Sequence, residues 1–307
     1  MRANQVKNYT IAVMDPGYGN FKFALVNLET NDYTENIQPS IISRVPSWEY
    51  EKLDGIGQSA CVSWKGEKYL VGTLATIYGL TLPSLSKNWL TNLACPLFAL
   101  SFCKGVEELY VMLSPSDWDQ KPIIEQSLKE AGFDKIYFAA QGTGAWLDVG
   151  APSNAVIIDI GFNTVDVFIV LNKTPIRELC FALKECGLVS FIEKLTKDDP
   201  ILLARRLEEG DAFLSEKITK HYFSWLFEKL ETRTEWRKKP SGLKIVIAGG
   251  GAYFIPEELK KQAIVPKNPV LANVRGLAKF ILKKRKDSMK ETTKEETTRK
   301  EITSETS

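Results

Sequence analysis

The sequence predicts an α/β protein made of two related halves that point at one shared ligand, and three observations predict it. The first is a repeat. Asp15-Pro16-Gly17-Tyr18-Gly19-Asn20-Phe21-Lys22 follows the apolar run Ile11-Ala12-Val13-Met14 and leads into Phe23-Ala24-Leu25-Val26. Asp159-Ile160-Gly161-Phe162-Asn163-Thr164-Val165-Asp166 follows Ala155-Val156-Ile157-Ile158 and leads into Val167-Phe168-Ile169-Val170. Each copy reads as strand, tight turn, strand, with a carboxylate closing the first strand. The second is the alternation of strand-like and helix-like segments between and after the repeats, which implies a sheet covered on both faces. The third is a buried-strand run, Lys244-Ile245-Val246-Ile247-Ala248, that stops at Gly249-Gly250-Gly251-Ala252-Tyr253.

The elements follow in order. The first hairpin spans Tyr9 to Leu28, and residues 29–75 carry short strands and turns, among them Ala60-Cys61-Val62-Ser63-Trp64 and Lys68-Tyr69-Leu70-Val71 around Gly66. Leu85 to Lys104 has Leu90, Leu93, Leu97 and Leu100 on one helical stripe. Leu109 to Leu113 is a buried strand that stops at Ser114-Pro115. Lys121 to Ala131 is a helix with Ile123, Ile124 and Leu128 inward, ended by Gly132. The strand Lys135 to Ala139 then delivers Gln141. After the second hairpin, Cys186 to Lys197 is helical, and Asp199-Pro200 opens a helix as cap and first-turn proline, closed by Gly210. Leu214 to Leu230 places Ile218, Tyr222, Trp225, Leu226 and Leu230 on one face, a spacing that suits core packing better than a cofactor platform. Pro256 to Gln262 and Val270 to Lys284 complete the helices.

Paired glycine turns have a chemical use. Glycine admits positive φ and lets backbone N–H groups approach an anion closely. Two such turns facing each other grip the β- and γ-phosphates of a nucleotide from opposite sides. An Asp at each strand end suits Mg²⁺, held through waters because this ion keeps much of its hydration shell. Lys22 adds a point charge for a phosphate oxygen. Three glycines after a strand let backbone lie against a planar base, although a glycine-rich strand-to-helix connection is the plainer alternative.

The composition is that of an ordinary globular chain: 307 residues, 44% hydrophobic and 25% charged, long enough for two domains. A net charge of +2 gives no global field for nucleic acid or an anionic membrane, so no direct contact with either is expected. Cys61, Cys95, Cys103, Cys180 and Cys186 match no metal-ligand spacing, and a lone His221 removes histidine-based zinc and Ser-His-Asp chemistry. No signal-peptide pattern opens the sequence and no apolar run is long enough to span a bilayer, so a cytoplasmic location is expected. From Lys283 onward Lys, Glu, Thr and Ser replace apolar residues, and residues 285–307 are expected to form a disordered charged tail, either solubilising or partner-binding.

The order Asp-x-Gly-x-Gly-x-x-Lys, Asp-x-Gly-x-x-Thr-x-Asp and strand-Gly-Gly-Gly resembles the first phosphate, second phosphate and adenosine motifs of the actin, sugar-kinase and heat-shock ATPase superfamily. Within it the chain is most similar to plasmid-segregation and archaeal actin-like proteins, through Gln141-Gly142-Thr143-Gly144-Ala145 and Asn268-Pro269-Val270-Leu271-Ala272-Asn273-Val274-Arg275-Gly276 as well. The resemblance implies a duplicated, actin-like (ribonuclease H-like) fold with a nucleotide cleft between two domains: 1–150 plus 268–284, and 151–267. It implies an ATP hydrolase using ATP (or GTP) and Mg²⁺, with Asp15 and Asp159 in the metal shell. Gly17, Tyr18, Gly19, Asn20, Lys22, Gly161, Phe162, Asn163 and Thr164 would lie around the phosphates. Gly249, Gly250, Gly251 and Tyr253 would lie by adenine, with Arg205 and Glu209 on its far side; their spacing equally suits a surface ion pair. Gln141 falls at the water-orienting position, and an amide can orient water with one donor and one acceptor. Asp166, on the same strand face as Thr164, is the candidate proton acceptor, with a surface carboxylate as the alternative. Phe162 departs from the pattern, since glycine is usual there. The implied role is a head-to-tail filament for plasmid or DNA partition, or another cytoskeletal task, through a DNA-binding adaptor; a small-molecule kinase of the same fold is the alternative.

Overall fold

The structure, a computed structural model, describes residues 9–78, 86–198, 203, 206–207 and 209–305; at residue 87 and from 289 onward it describes backbone alone. The first sheet begins with an antiparallel meander, β1 (Ile11–Asp15), β2 (Asn20–Asn27) and β3 (Asp32–Pro39). A small sheet follows, β4 (Ile42–Val45), β5 (Val62–Trp64) and β6 (Glu67–Val71), in the order β4-β6-β5. The chain then returns to add β7 (Glu108–Leu113) and β8 (Lys135–Ala140), each parallel to its neighbour, so the first sheet runs β3-β2-β1-β7-β8.

The second half repeats the plan. Strands β9 (Ala155–Ile160), β10 (Thr164–Leu171), β11 (Thr174–Pro175), β12 (Phe181–Lys184), β13 (Lys244–Ala248) and β14 (Ala263–Ile264) form one sheet. Along β12-β10-β9-β13-β14 it reproduces the first sheet's antiparallel meander and its two parallel additions, with β11 also paired to β10. The sequence repeat is thus a repeat of topology.

Both faces of each sheet are covered, which is why β1 and β9 are apolar at successive positions rather than at alternate ones. In the first sheet Ala12, Met14, Phe21 and Phe23 face helix α1 (Cys95–Phe102), whose Phe98 stacks on Phe21 with ring centroids 4.0 Å apart. Helix α2 (Lys121–Glu130) joins that face through Ile124 and Leu128. Ile123, expected to point inward, is 43% exposed. Consecutive helical residues diverge by about 100°, and the buried stripe centres on Ile124, Ser127 and Leu128.

Two helices lie between the sheets. Helix α3 (Thr143–Asp148) packs Ala145 and Trp146 on the inner face of the second sheet, against Ile157, Phe168 and Val246. The outer face of that sheet is covered by helix α4 (Leu188–Thr196) and helix α5 (Phe223–Glu231). Tyr222 is buried there and its hydroxyl donates to the Cys186 carbonyl at 2.8 Å, so the aromatic face of this region is core. Helix α6 (Ala272–Glu305) packs Val274, Ala278 and Ile281 on Ile11, Val13, Ala24 and Val26 of the first sheet.

Helices α3 and α6 cross on two glycines. A Cβ on Gly144 would lie 1.8 Å from the Asn273 carbonyl oxygen, and one on Gly276 would lie 1.9 Å from the Gly144 carbonyl oxygen. The crossing is locked by Arg275, whose guanidinium donates to both Asp148 oxygens at 2.9 and 2.6 Å.

Helix α6 continues to Glu305, whereas the sequence reading placed a disordered tail from residue 285. No glycine or proline follows Gly276, and Lys and Glu are good helix formers. The expected helix start at Asp199-Pro200 lies outside the described residues, as does Leu85. No helix among the described residues is long and apolar enough to cross a membrane.

Candidate functional site

The carboxyl ends of the parallel strands converge on one cleft, where open α/β sheets place their ligands. From the first sheet, β1 ends at Asp15, β7 leads to Ser114 and β8 leads to Gln141; from the second, β9 brings Asp159 and β13 leads to Gly249. The cleft measures about 390 Å³, within the range of small-molecule pockets, roughly 300–1,000 Å³.

Both glycine turns line it. Gly17, Tyr18, Gly19, Asn20 and Lys22 come from the first, and Gly161, Phe162, Asn163 and Thr164 from the second. Ser40 shapes the first turn: its hydroxyl donates to the Gly17 carbonyl at 2.5 Å and its N–H to the Gly19 carbonyl at 2.9 Å. The second turn is held by the start of α4. The N–H groups of Leu188 and Val189, which have no partner within their own helix, donate to the carbonyls of Gly161 and Phe162 at 3.1 Å each. Asn163 adds its side chain, accepting from the Ser190 hydroxyl at 2.6 Å. Phe162 reaches across toward the first turn: a Cβ on Gly19 would lie 2.7 Å from its ring. The bulky residue in the second turn is therefore matched by the missing side chain in the first.

Deeper in the cleft the carboxylates are organised by amides. Asp15 is buried beneath the lining, 1% exposed, and accepts from Gln141 Nε2 at 2.5 Å. Lys22 Nζ lies 3.5 Å from the other oxygen of Asp15. Asn273 ties both halves together. Its Nδ2 donates to Asp159 at 2.6 Å and reaches Asp15 at 3.5 Å, while its Oδ1 accepts from the N–H groups of Gly142 and Ala145 at the start of α3. Burial, and then the charge of Asp15, push the Asp159 carboxyl up to about 6. Asp166 stands opposite Asp159 in the β9–β10 register. Burial pushes it well above the usual carboxylate range, the charges of Asp159, Asp117 and Asp15 add to this, and a hydrogen bond from Ser114 opposes it.

Among the described residues no group of three or more His, Cys, Asp or Glu side chains is arranged to hold a metal ion directly. The Asp15–Asp159 pair does fit a hydrated divalent cation. A buried and a half-buried carboxylate with mutual repulsion, answered in part by Lys22 and Asn273, are the donor set that such an ion relieves through its waters.

The side of the cleft expected to face adenine is built differently from the expectation. Gly249, Gly250 and Tyr253 line the cleft, but Gly251 does not; it packs on Ile160, whose Cγ2 would lie 2.2 Å from an added Cβ. Gly249 is needed as glycine twice over, for a φ of +76° and for its approach to Asp159. Glu209 is exposed, in the turn at Gly210, and outside the lining, while Leu207 lines it. Arg205 lies outside the described residues.

Sequence reasoning missed Asn273, Ser114, Asp117 and Ser40 as members of the site. Asn273 stood inside a stretch already singled out, and Ser114 follows a strand that ends at the same level as Asp15. Asp117 and Ser40 left no signal in the sequence.

No protein-family model matches the sequence, and no curated protein matches it. Solved structures do. The apo ParM protein of psk41 is 18% identical, with 91% of this chain and 99% of that chain covered at a TM-score of 0.59. Ta0583, an archaeal actin homologue solved with ADP, is 20% identical over 87% of this chain and 97% of its own, at 0.59. AlfA from the B. subtilis plasmid pLS32, solved as a filament, is 17% identical over 87% and 97%, at 0.55. The chain has the actin-like fold.

Proposed function

We propose that this chain is an actin-like ATPase that binds Mg-ATP, or Mg-GTP, between its two halves and assembles head to tail into filaments. The domains would be 1–150 with 268–284, and 151–267. One observation carries the reading: two glycine turns from topologically repeated hairpins line a single cleft, with Asp159 in its lining and Asp15 just beneath it. The turns present backbone N–H groups to the phosphates, and Lys22 supplies a positive charge beside them. Mg²⁺, held through water by Asp15 and Asp159, would neutralise charge on the phosphates. Gln141 orients the attacking water with its amide, and Asp166 takes or relays its proton.

The ADP in Ta0583 and the filament of AlfA support the nucleotide and assembly parts of the reading. A contact repeated head to tail without closing into a ring generates a helical filament. The role we assign is partition of plasmid DNA through an adaptor, which the plasmid origin of AlfA supports. The test is pelleting and electron microscopy with ATP or a slow analogue, with phosphate release followed in the same sample. Filaments that form with nucleotide and shed phosphate are expected. A monodisperse monomer under every nucleotide and salt condition would refute assembly. Asp117, a further buried carboxylate in the cleft wall, is the residue a kinase reading would use to activate an acceptor. ADP formation that depends on an added hydroxyl compound would favour that reading.

A further inference from the structure

We propose that Phe162 is an apolar latch: its ring holds the two glycine turns together, so that closure of the cleft does not wait for the ligand. The role deepens the nucleotide reading above and rests on it. Phe162 is half-buried in the lining of the cleft, and its side chain packs on the second half's apolar cluster, beside Leu188, Val189 and Phe191 of α4. Its backbone is clamped there. A Cβ on Gly187 would lie 2.5 Å from the Phe162 carbonyl carbon and oxygen, and the Asn163 carbonyl accepts from the N–H groups of Cys186 and Gly187 at 3.1 Å each. From this seat the ring reaches Gly19 in the first half. The three atoms nearest to a Cβ built on Gly19 all belong to Phe162: Cδ2 at 2.7 Å, and Cβ and Cγ at 3.0 Å each. Cβ is fixed to the backbone, so turning the ring leaves part of that clash in place. Gly19 does not have a positive φ. Its backbone therefore does not call for glycine, and the ring does.

A ligand that touches both turns closes them only by the difference in its affinity for the open and the closed forms. With a small residue at position 162, that difference would have to supply this part of the closing. Here protein atoms supply it, because the ring shields apolar surface of one half from water against the backbone of the other. Each end of the contact is held by its own half. Gly19 is held through Ser40, whose N–H donates to the Gly19 carbonyl at 2.9 Å, and Phe162 through the start of α4. A close-packed contact between two fixed ends transmits the position of one turn to the other. Polar bonds also link the halves, from Ser114 to Asp166 and from Asn273 to Asp159. The Phe162–Gly19 contact differs in joining the two glycine turns themselves. The closed form is then well populated before nucleotide arrives, and the affinity carries little of the penalty for closing.

The experiment compares the full-length wild type, Phe162→Ala, Phe162→Leu, Gly19→Ala and the variant carrying both alanines. Calorimetry gives the affinity for MgADP, small-angle X-ray scattering gives the radius of gyration with and without MgADP, and thermal melts give Tm without nucleotide. Phe162→Ala should bind MgADP about tenfold more weakly, because a closed form stripped of a half-buried apolar contact is less populated. Without nucleotide it should be wider than the wild type, and with MgADP it should contract to the wild-type radius, which itself stays constant. Phe162→Leu keeps much of the contact and should fall between. Gly19→Ala should lower Tm by about 4 °C where its Cβ meets the ring, and by far less in Phe162→Ala. Tighter binding by Phe162→Ala would overturn the latch and make the ring an obstacle to phosphate. Unchanged affinity, an unchanged radius, or an equal loss of Tm from Gly19→Ala in both backgrounds would each overturn it as well. A wild type that binds no nucleotide would refute the nucleotide reading, while the nucleotide-free radii and melts still decide whether Phe162 latches the turns.

Discussion

Asp159 is half-buried beside Asp15, and its carboxyl is pushed up to about 6 from an ordinary 3.8. Between these two values the folded chain holds a proton that the unfolded chain has lost, so stability falls as pH rises from about 4 to 6 and then levels off. The cost of the charge above pH 6 is on the order of 3 kcal/mol. Asp159→Asn removes it while keeping an oxygen that accepts from Asn273. The nucleotide-free variant is therefore expected to melt above the wild type at pH 7–8, with the advantage fading as pH drops through 6 toward 4. Thermal melts across that range check this, and an advantage that grew with acid would contradict it. The same variant should lose Mg²⁺-dependent turnover. Phe162 and Gly19 give a second lesson at this scale. The departure at Phe162 is visible in the sequence, but only the fold shows that its ring covers the glycine of the opposite turn.

Secondary-structure elements explain why the glycines of the Gln141–Ala145 and Asn268–Gly276 stretches belong together. Gly144 and Gly276 let α3 and α6 touch backbone to backbone, which brings Asn273 within reach of both Asp15 and Asp159. Any side chain at Gly144 forces the helices apart. Gly144→Ala should destabilise by about 3 kcal/mol, the upper end of ordinary overpacking. Gly250→Ala, whose Cβ would meet open space, should cost far less. Urea titrations of the two variants make the comparison, and equal losses would show that the crossing is loose.

For the whole molecule, a ligand gripped by turns from both halves must couple their stabilities. Nucleotide at a hundred times its Kd adds about 2.7 kcal/mol, which for a chain of this size raises Tm by about 5 °C in a single transition. Gln141→Ala is expected to keep that shift, since the amide acts on water rather than on phosphate, while hydrolysis slows. Calorimetry with parallel phosphate release tests both parts, and loss of the thermal shift would reassign Gln141 to binding. Two separate transitions, of which nucleotide moved only one, would show that the turns do not hold the same ligand.

The repeat of Asp-x-Gly hairpins, the apolar runs and the glycine-ended strand are local patterns, and local periodicity is enough to specify strands, their ends and the turns between them. That much was legible: the duplicated plan, and the convergence of Asp15, Gln141, Asp159 and Gly249 on one place. Side-chain partners across the cleft were not. Asn273 meets Asp15 from 258 positions away, Gln141 from 126, and Ser114 meets Asp166 from the other half of the chain. Such contacts depend on how two sheets are set around α3 and α6, a packing relation that no stretch of sequence contains. The tertiary structure alone decided that Gly251 serves Ile160, that Leu207 rather than Glu209 faces the cleft, and that one asparagine joins the two halves of the site.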